Sequence, residues 1–198
     1  MLSSYLSTLS SKSSSSGSEY THPRSPGLEN VLQKKHLNVL ELGAGCGIVG
    51  ISLATTFPQI SKVLLTDLPE ATEIIEKNLS PSTLPLPTSS KLSHQVLDWS
   101  SPLPSNFSST NWDLVVVADC TYNPDVVPDL VQTLKRLAET NRDVFVLLAM
   151  KVRHESEMVF FDLMSESDFA ISEKCKIPLP VLGGEGEEIE IFSFRYVT

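Results

Sequence analysis

A glycine-rich turn is the strongest candidate for chemistry in this sequence. The segment ELGAGCG occupies positions 41–47, after the apolar run 37–42 and before a helical pattern. Glycines in such a turn let a ligand approach the backbone at the carboxyl end of the first strand. The spacing here is GxGxG, whereas the dinucleotide fingerprint reads GxGxxG. The turn therefore predicts a ligand site, but its glycine spacing differs from that of dinucleotide-binding sites.

Acidic residues also end the next two predicted strands. Asp67 ends the second strand, where a carboxylate can accept hydrogen bonds from both hydroxyls of a ribose. Asp98 and Trp99 follow the third, where an indole can pack on an adenine and a carboxylate can bond its exocyclic amine. The competing structural interpretations are a capping aspartate and a tryptophan that covers the rim of the core. We favour the ligand site.

The fourth predicted strand ends in Asp119-Cys120-Thr121-Tyr122. Open parallel sheets place their reactive groups at this edge, so a carboxylate and a phenol here could hold an amine. The alternative is that Asp119 caps the turn and Tyr122 packs. We interpret His154 as a cap or surface residue and the acidic run 185–188 as a solvated turn.

A strand and helix alternation positions these residues. It predicts an α/β fold: a Rossmann-like, doubly wound, mostly parallel sheet of about seven strands with a C-terminal antiparallel hairpin. Asp67 and Glu70 could form a capping box for the second helix. The predicted strands are 37–42, 63–66, 95–97, 114–118, 144–150, 171–177 and 188–196, and the predicted helices are 48–57, 69–79, 126–140 and 154–165.

The amino-terminal part has a different composition. Residues 2, 5, 6 and 9 are apolar at helical spacing, and the segment 10–27 is dominated by serine. We therefore divide the chain into 1–36, a partial helix with a flexible serine-rich segment, and 37–198, the catalytic domain. Trp112 precedes the fourth strand, at the edge opposite the site, and is assigned to packing.

The net charge and the cysteine spacing argue against several kinds of protein. The formal net charge of −9 argues against a protein that tracks nucleic-acid phosphates. Cys46, Cys120 and Cys175 lack the spacing of a zinc site or a disulfide framework, which favours a reducing compartment and no metal. The apolar runs are too short to cross a bilayer. We expect a cytoplasmic monomer.

Four motifs together resemble a known family. ELGAGCG at 41–47, TD at 66–67, LDW at 97–99 and ADCTY at 118–122 are similar to the seven-strand, class I protein-lysine methyltransferases of the methyltransferase-like 21 group. The resemblance covers roughly residues 37–198. It implies S-adenosyl-L-methionine as cofactor and a lysine-bearing protein, such as a translation elongation factor or a chaperone, as substrate.

The resemblance also implies residue roles. Asp119 and Tyr122 would form the acceptor-lysine end of the site. Gly43, Ala44 and Gly45 would line the methionine part of the cofactor, Asp67 would hold its ribose, and Trp99 and Ala118 would border its adenine. The expected cofactor-binding residues are Glu41, Gly43, Ala44, Gly45, Gly47, Asp67, Leu68, Asp98, Trp99 and Ala118.

Two alternatives stay open at this point. One is an N-methyltransferase of a small amine such as nicotinamide, which would share the cofactor half of the site. The other is a catalytically silent module, because members of the family have an amino-terminal tryptophan near the cofactor that this sequence lacks.

Overall fold

The computed structural model describes residues 2–10, 25–84, 87–151, 158–178 and 188–197. Its strands are β1 (Leu37–Leu42), β2 (Ile60–Asp67), β3 (Leu92–Val96), β4 (Leu114–Ala118), β5 (Phe145–Met150), β6 (Phe169–Pro178) and β7 (Glu188–Tyr196). Its helices are α1 (Leu2–Ser10), α2 (Pro26–Leu32), α3 (Ile48–Thr56), α4 (Thr72–Leu79), α5 (Ser105–Ser108), α6 (Val127–Thr140) and α7 (Val159–Glu166).

The described strands form one sheet in the order β3-β2-β1-β4-β5-β7-β6. β1 to β5 pair in parallel, and β7 pairs antiparallel with both β5 and β6. The predicted mostly parallel sheet with a C-terminal antiparallel pair is confirmed. Residues 179–187, between β6 and β7 in the sequence, lie outside the described residues and include positions 185–187 of the predicted solvated turn.

The sheet is covered on both faces, which is why its central strands are apolar throughout. Leu114, Val115, Val116 and Val117 of β4 are all fully buried, as a parallel strand with helices on both sides requires. Residues of α1, α2, α3 and α4 share a core with one face, and residues of α5, α6 and α7 share a core with the other.

Several element boundaries differ from the predictions. β2 begins at Ile60 and β3 at Leu92, because partly exposed polar residues in both strands hid the apolar signal. Residues 69–71 form a 3₁₀ turn before α4. The proposed capping box is wrong: the carboxylate of Asp67 accepts hydrogen bonds from two other backbone N–H groups. Residues 152–157, which include His154, lie outside the described ranges.

The amino-terminal helices belong to the same core as the sheet. Leu2, Tyr5 and Leu6 of α1 are buried, and α1 packs against α3. The sequence did not predict α2, which buries Leu28 and Val31 together with Leu32. The domain boundary at residue 36 stays a prediction, but the two helices before it share a core with the strands that follow.

None of the helices in the described parts of the chain combines the length and apolar character needed to span a membrane.

Candidate active site

The carboxyl ends of the parallel strands border one cavity of about 770 Å³. Leu42 of β1 lies beside Thr66 of β2 and Val117 of β4, so the residues that follow these three strands meet at the same edge. This is where open α/β sheets bind ligands. The residues lining the cavity are Glu41, Gly43, Ala44, Gly45, Cys46, Ile48, Val49, Asp67, Leu68, Ala71, Leu97, Asp98, Trp99, Ser100, Ala118, Asp119, Cys120, Tyr122, Asn123, Val126 and Asp129.

The glycine turn contributes backbone to the cavity wall. Gly43 and Gly45 have φ angles of +66° and +58°, in the region that favours glycine. A Cβ on Gly43 would lie 2.5 Å from Sγ of Cys120, whereas a Cβ on Gly45 would meet no atom within 4 Å. The turn therefore leaves open space beside Gly45 that a ligand can enter.

Gly47 differs from the other predicted cofactor-binding residues because it does not line the cavity. It is buried at the start of α3 with a φ of +79°, and a Cβ there would lie 2.8 Å from Cδ1 of Leu65. Its N–H donates to the carbonyl oxygen of Ala44 at 2.8 Å. The observed role of Gly47 is thus to close the turn and to pack against β2.

Asp67 is held by the glycine turn. The backbone N–H of Gly45 donates to its Oδ2 at 2.6 Å, and the N–H of Leu68 donates to its Oδ1 at 2.7 Å. Each carboxylate oxygen keeps acceptor capacity beyond these bonds. Leu68 is 48% exposed on the same wall, so an apolar surface lies next to the fixed carboxylate.

Glu41 is a buried acid that borders the cavity. Burial, opposed by the hydrogen bond from the N–H of Gly50 and aided by the charge of Asp67, raises the pKa of its carboxyl to about 8. That N–H donates to Oε2 of Glu41 at 2.8 Å. At neutral pH the group is therefore mostly protonated.

Asp98 and Trp99, which follow β3, also line the cavity. Oδ1 of Asp98 accepts hydrogen bonds from the backbone N–H of Ser100 at 2.9 Å and from its hydroxyl at 2.8 Å, so the carboxylate stabilises its own turn. Nε1 of Trp99 is buried with no hydrogen-bond partner among the described residues. Cζ2 of Trp99 would lie 3.3 Å from a Cβ on Gly43, which places the indole directly against the glycine turn.

Asp119 and Tyr122 lie at the mouth of the cavity. Asp119 has a φ of +58°, and its N–H donates to the carbonyl oxygen of Ala149 at 2.8 Å, which fixes the turn after β4. Tyr122 is 66% exposed, so it is not the packing residue of the alternative interpretation. Between them, Cys120 is buried with its Sγ 3.5 Å from the carbonyl oxygen of Leu42. Burial raises the pKa of this thiol to about 12, so it stays neutral.

Trp112 packs away from the site, as predicted. It is buried, and its Nε1 donates to the carbonyl oxygen of Phe107 at 3.0 Å.

About half of the residues that line the cavity do not belong to the set predicted from the sequence. No lysine, arginine or histidine in the described ranges lines the cavity, while five carboxylic acids do. The described residues also form no cluster suited to a metal ion. The unpredicted lining residues are Cys46, Ile48, Val49, Ala71, Leu97, Ser100, Cys120, Asn123, Val126 and Asp129.

Comparison with known proteins places these features in context. A family model described as lysine methyltransferase matches residues 1–167. The chain is 35% identical over 135 residues to protein N-lysine methyltransferase METTL21A of Mus musculus, covering 68% of this chain and 58% of that protein. It is 34% identical over 138 residues to EEF1A lysine methyltransferase 3 of Xenopus tropicalis, covering 70% of this chain and 58% of that protein.

The fold is similar to that of solved methyltransferase structures. An S-adenosylmethionine-dependent methyltransferase from Methanosarcina mazei superposes with a TM-score of 0.62 at 17% identity, covering 88% of this chain and 98% of that one. In sequence, the chain spans 44–61% of the length of three curated relatives that it matches.

Proposed function

The chain belongs to the lysine methyltransferase family, and from this premise we propose that it transfers a methyl group from S-adenosyl-L-methionine to the side chain of a protein lysine. The observation that carries the proposal is a cavity at the carboxyl edge of the sheet. It combines the glycine turn and Asp67 with Asp119 and Tyr122. These are the residues that a cofactor half and an acceptor half would need.

The cofactor half fits an adenosyl ligand. The open space beside Gly45 admits ligand atoms next to the backbone, and Asp67 presents fixed carboxylate oxygens to ribose hydroxyls. Leu68 and Trp99 offer apolar surface for a base. A volume of about 770 Å³ lies within the usual range for small-molecule sites. We propose that Glu41, Gly43, Ala44, Asp98 and Ala118 complete this half.

The acceptor half has to position a neutral amine. The bound cofactor would supply an electrophilic methyl group, and Asp119 and Tyr122 would hold the amine nitrogen in line with it. The lysine ammonium would release its proton to solvent before the transfer. A lysine with a pKa near 10.4 must first lose a proton, which at pH 7 costs about 4.6 kcal/mol. An anion such as Asp119 would raise that pKa, so we assign Asp119 to hydrogen bonding and alignment rather than to strong base catalysis.

Tyr122 supports a protein substrate. Its ring is largely exposed at the mouth, where it can contact the chain that carries the lysine. One relative is named for the elongation factor it methylates, EEF1A. We propose a protein of this kind, an elongation factor or alternatively a chaperone, as the substrate. The three free cysteines agree with a reducing compartment, and we propose that the protein acts in the cytoplasm as a monomer.

Methyl transfer into a eukaryotic lysate tests the proposal. Labelled S-adenosyl-L-methionine is incubated with the wild-type chain or with Asp119→Ala, and label is counted separately in proteins and in small molecules. We expect one labelled protein band that disappears with the variant. If label appeared only in small molecules, the protein would be a methyltransferase of small amines, and the proposal of a protein substrate would be wrong. Absence of label in both fractions would indicate a catalytically silent module.

A further inference from the structure

Asp129 lies on the face of α6 that is turned toward the cavity. Residues 126, 129, 133 and 136 recur at helical spacing along this face. The hydroxyl of Thr133 donates to the carbonyl oxygen of Trp99 at 3.4 Å, and Nη1 of Arg136 donates to that of Ser101 at 3.4 Å. Asp129, one turn before Thr133, and Val126, which directly precedes the helix, line the cavity itself. The helix thus places Asp129 between the wall formed by Trp99 and the mouth.

The carboxylate of Asp129 accepts no hydrogen bond from the described residues, unlike the carboxylates of Asp67 and Asp98. Asp67 accepts two backbone N–H groups, and Asp98 accepts the N–H and hydroxyl of Ser100. Asp129 is partly buried and accepts no hydrogen bond or ion pair from the parts of the chain that the structure describes. No cationic side chain in those parts lines the cavity to neutralise it.

A carboxylate attracts a cation more strongly in a partly enclosed cavity than in bulk water, because water screens the two charges less there. The position of Asp129 in the first turn of α6 is also favourable for its own negative charge. A structural role at the helix start would be satisfied by any acid of that turn. It would not require the side chain to border the cavity.

We propose that Asp129 is a specificity-determining residue that pairs with the ε-ammonium group of the incoming lysine and holds it at the mouth before transfer. The inference rests on the proposed function and refines it. Asp129 selects the cationic side chain during binding, whereas Asp119 and Tyr122 align the amine that reacts. Its removal therefore weakens substrate binding more than it slows the transfer step.

Steady-state kinetics on Asp129→Asn provide the first test, with the labelled protein from the lysate as substrate. We expect KM for that protein to rise about tenfold, as for a lost hydrogen bond to a charged group, while kcat stays within about twofold. The affinity for S-adenosyl-L-methionine should not change. The matched control is Asp125→Asn, which removes the same charge from an exposed position nearby that does not line the cavity.

An unchanged KM in Asp129→Asn would overturn the inference. An equal rise in Asp125→Asn would also overturn it, because the effect would then be general electrostatic steering. A change confined to cofactor affinity would assign Asp129 to the other half of the site and would likewise contradict the inference.

A binding measurement keeps the inference testable without turnover. Ligand-observed NMR follows n-butylammonium, a mimic of the lysine side chain, in the presence of S-adenosylhomocysteine, with n-butanol as the neutral control. We expect Asp129→Asn to weaken n-butylammonium binding about tenfold and to leave n-butanol unaffected. Equal binding by the wild type and the variant would contradict the inference. If the wild type were inactive in methyl transfer but still bound n-butylammonium more tightly than Asp129→Asn does, the result would contradict the proposed function and not the role of Asp129.

Discussion

Glu41 and Asp67 lie at the ends of adjacent strands, but their carboxyl groups have different surroundings. Asp67 is partly exposed and accepts hydrogen bonds from two backbone N–H groups. Glu41 is buried and accepts a hydrogen bond from one backbone N–H group. Burial raises the pKa of Glu41 from an ordinary 4.5 to about 8. Between these two pH values the folded state binds more protons at this group than the unfolded state does. The contribution of Glu41 to stability therefore falls as the pH rises through that window.

Glu41→Gln should remove this pH dependence, because the amide oxygen can still accept the N–H of Gly50. We expect the free energy of unfolding of the wild type to fall, relative to that of the variant, by a few kcal/mol at most between pH 5 and pH 8. Urea unfolding at four pH values measures the difference, with the exposed Glu139→Gln as control. If the free energy of unfolding changed with pH equally in the wild type and in Glu41→Gln, the pKa of Glu41 would not be raised by folding.

Two glycine substitutions separate folding from ligand binding. Gly43→Ala and Gly45→Ala both place a side chain at positive φ, which costs about 1–2 kcal/mol. Only Gly43→Ala adds a clash, with Sγ of Cys120 at 2.5 Å. We expect the larger loss in melting temperature for Gly43→Ala. For Gly45→Ala, whose methyl group would occupy ligand space, we expect about a tenfold loss of cofactor affinity in calorimetry. The reverse ranking in stability would contradict the geometry of the turn.

Some residues of the site could be found from the sequence because they sit in motifs at strand ends. Asp67, Asp119 and Tyr122 each follow a recognisable strand, and all line the cavity. Asp129 could not be found in this way, because an aspartate in the first turn of a helix is common for electrostatic reasons alone. Its exposure to the cavity depends on how α6 is rotated against the sheet, and helical spacing does not specify that rotation.

At the scale of elements, α2 is fixed to the far edge of the sheet. The hydroxyl of Ser25 donates to Oε2 of Glu173 on β6, and the N–H of Gly27 donates to Oε1 at 2.7 Å. A seven-residue helix has little stability of its own, so tertiary anchors of this kind decide whether it forms.

Glu173→Ala should destabilise the fold by about 1–3 kcal/mol, since two donors, one of them on the buried Ser25, lose their shared acceptor. Glu188→Ala on β7 is the matched control. Its carboxylate forms an exposed ion pair with Lys176 at 3.0 Å, and such pairs contribute at most about 1 kcal/mol. Chemical unfolding of the two variants compares them directly. Equal effects would mean that Glu173 does not anchor α2.

The accuracy of the element predictions follows burial. β4 was predicted with its observed bounds, because a strand buried on both faces is a continuous apolar run. The start of β6 was predicted two residues late, because β6 is an edge strand and the three residues after Phe169 are all exposed. α2 was missed because its apolar residues, Leu28, Val31 and Leu32, follow a serine-rich segment that masks so short a pattern.

At the scale of the whole molecule, α1 is part of the core. Leu6 is fully buried and Leu9 only partly. We expect Leu6→Ala to lower the free energy of unfolding by about 2–5 kcal/mol, as large-to-small core substitutions do. Leu9→Ala should cost clearly less, and thermal unfolding of both measures the contrast. A negligible effect of Leu6→Ala would separate α1 from the folded unit.

The fold as a whole could be predicted because strands and helices alternate along the chain and the first four strands end in recognisable motifs. The association of the amino-terminal helices with the sheet could not be predicted, since nothing in the local pattern of residues 2–10 specifies that they pack on α3. Such contacts arise only when the sheet and α3 have formed the surface that covers Leu2, Tyr5 and Leu6.

We propose that the cavity at the carboxyl edge holds S-adenosyl-L-methionine through Asp67. Calorimetric titration of the chain with this cofactor tests the assignment by comparing the wild type with Asp67→Asn and with the exposed Asp125→Asn. We predict one site per chain, a loss of about 10–100-fold in affinity for Asp67→Asn, and no change for Asp125→Asn. Equal affinity in all three proteins, or the absence of binding by the wild type, would contradict this assignment of the site.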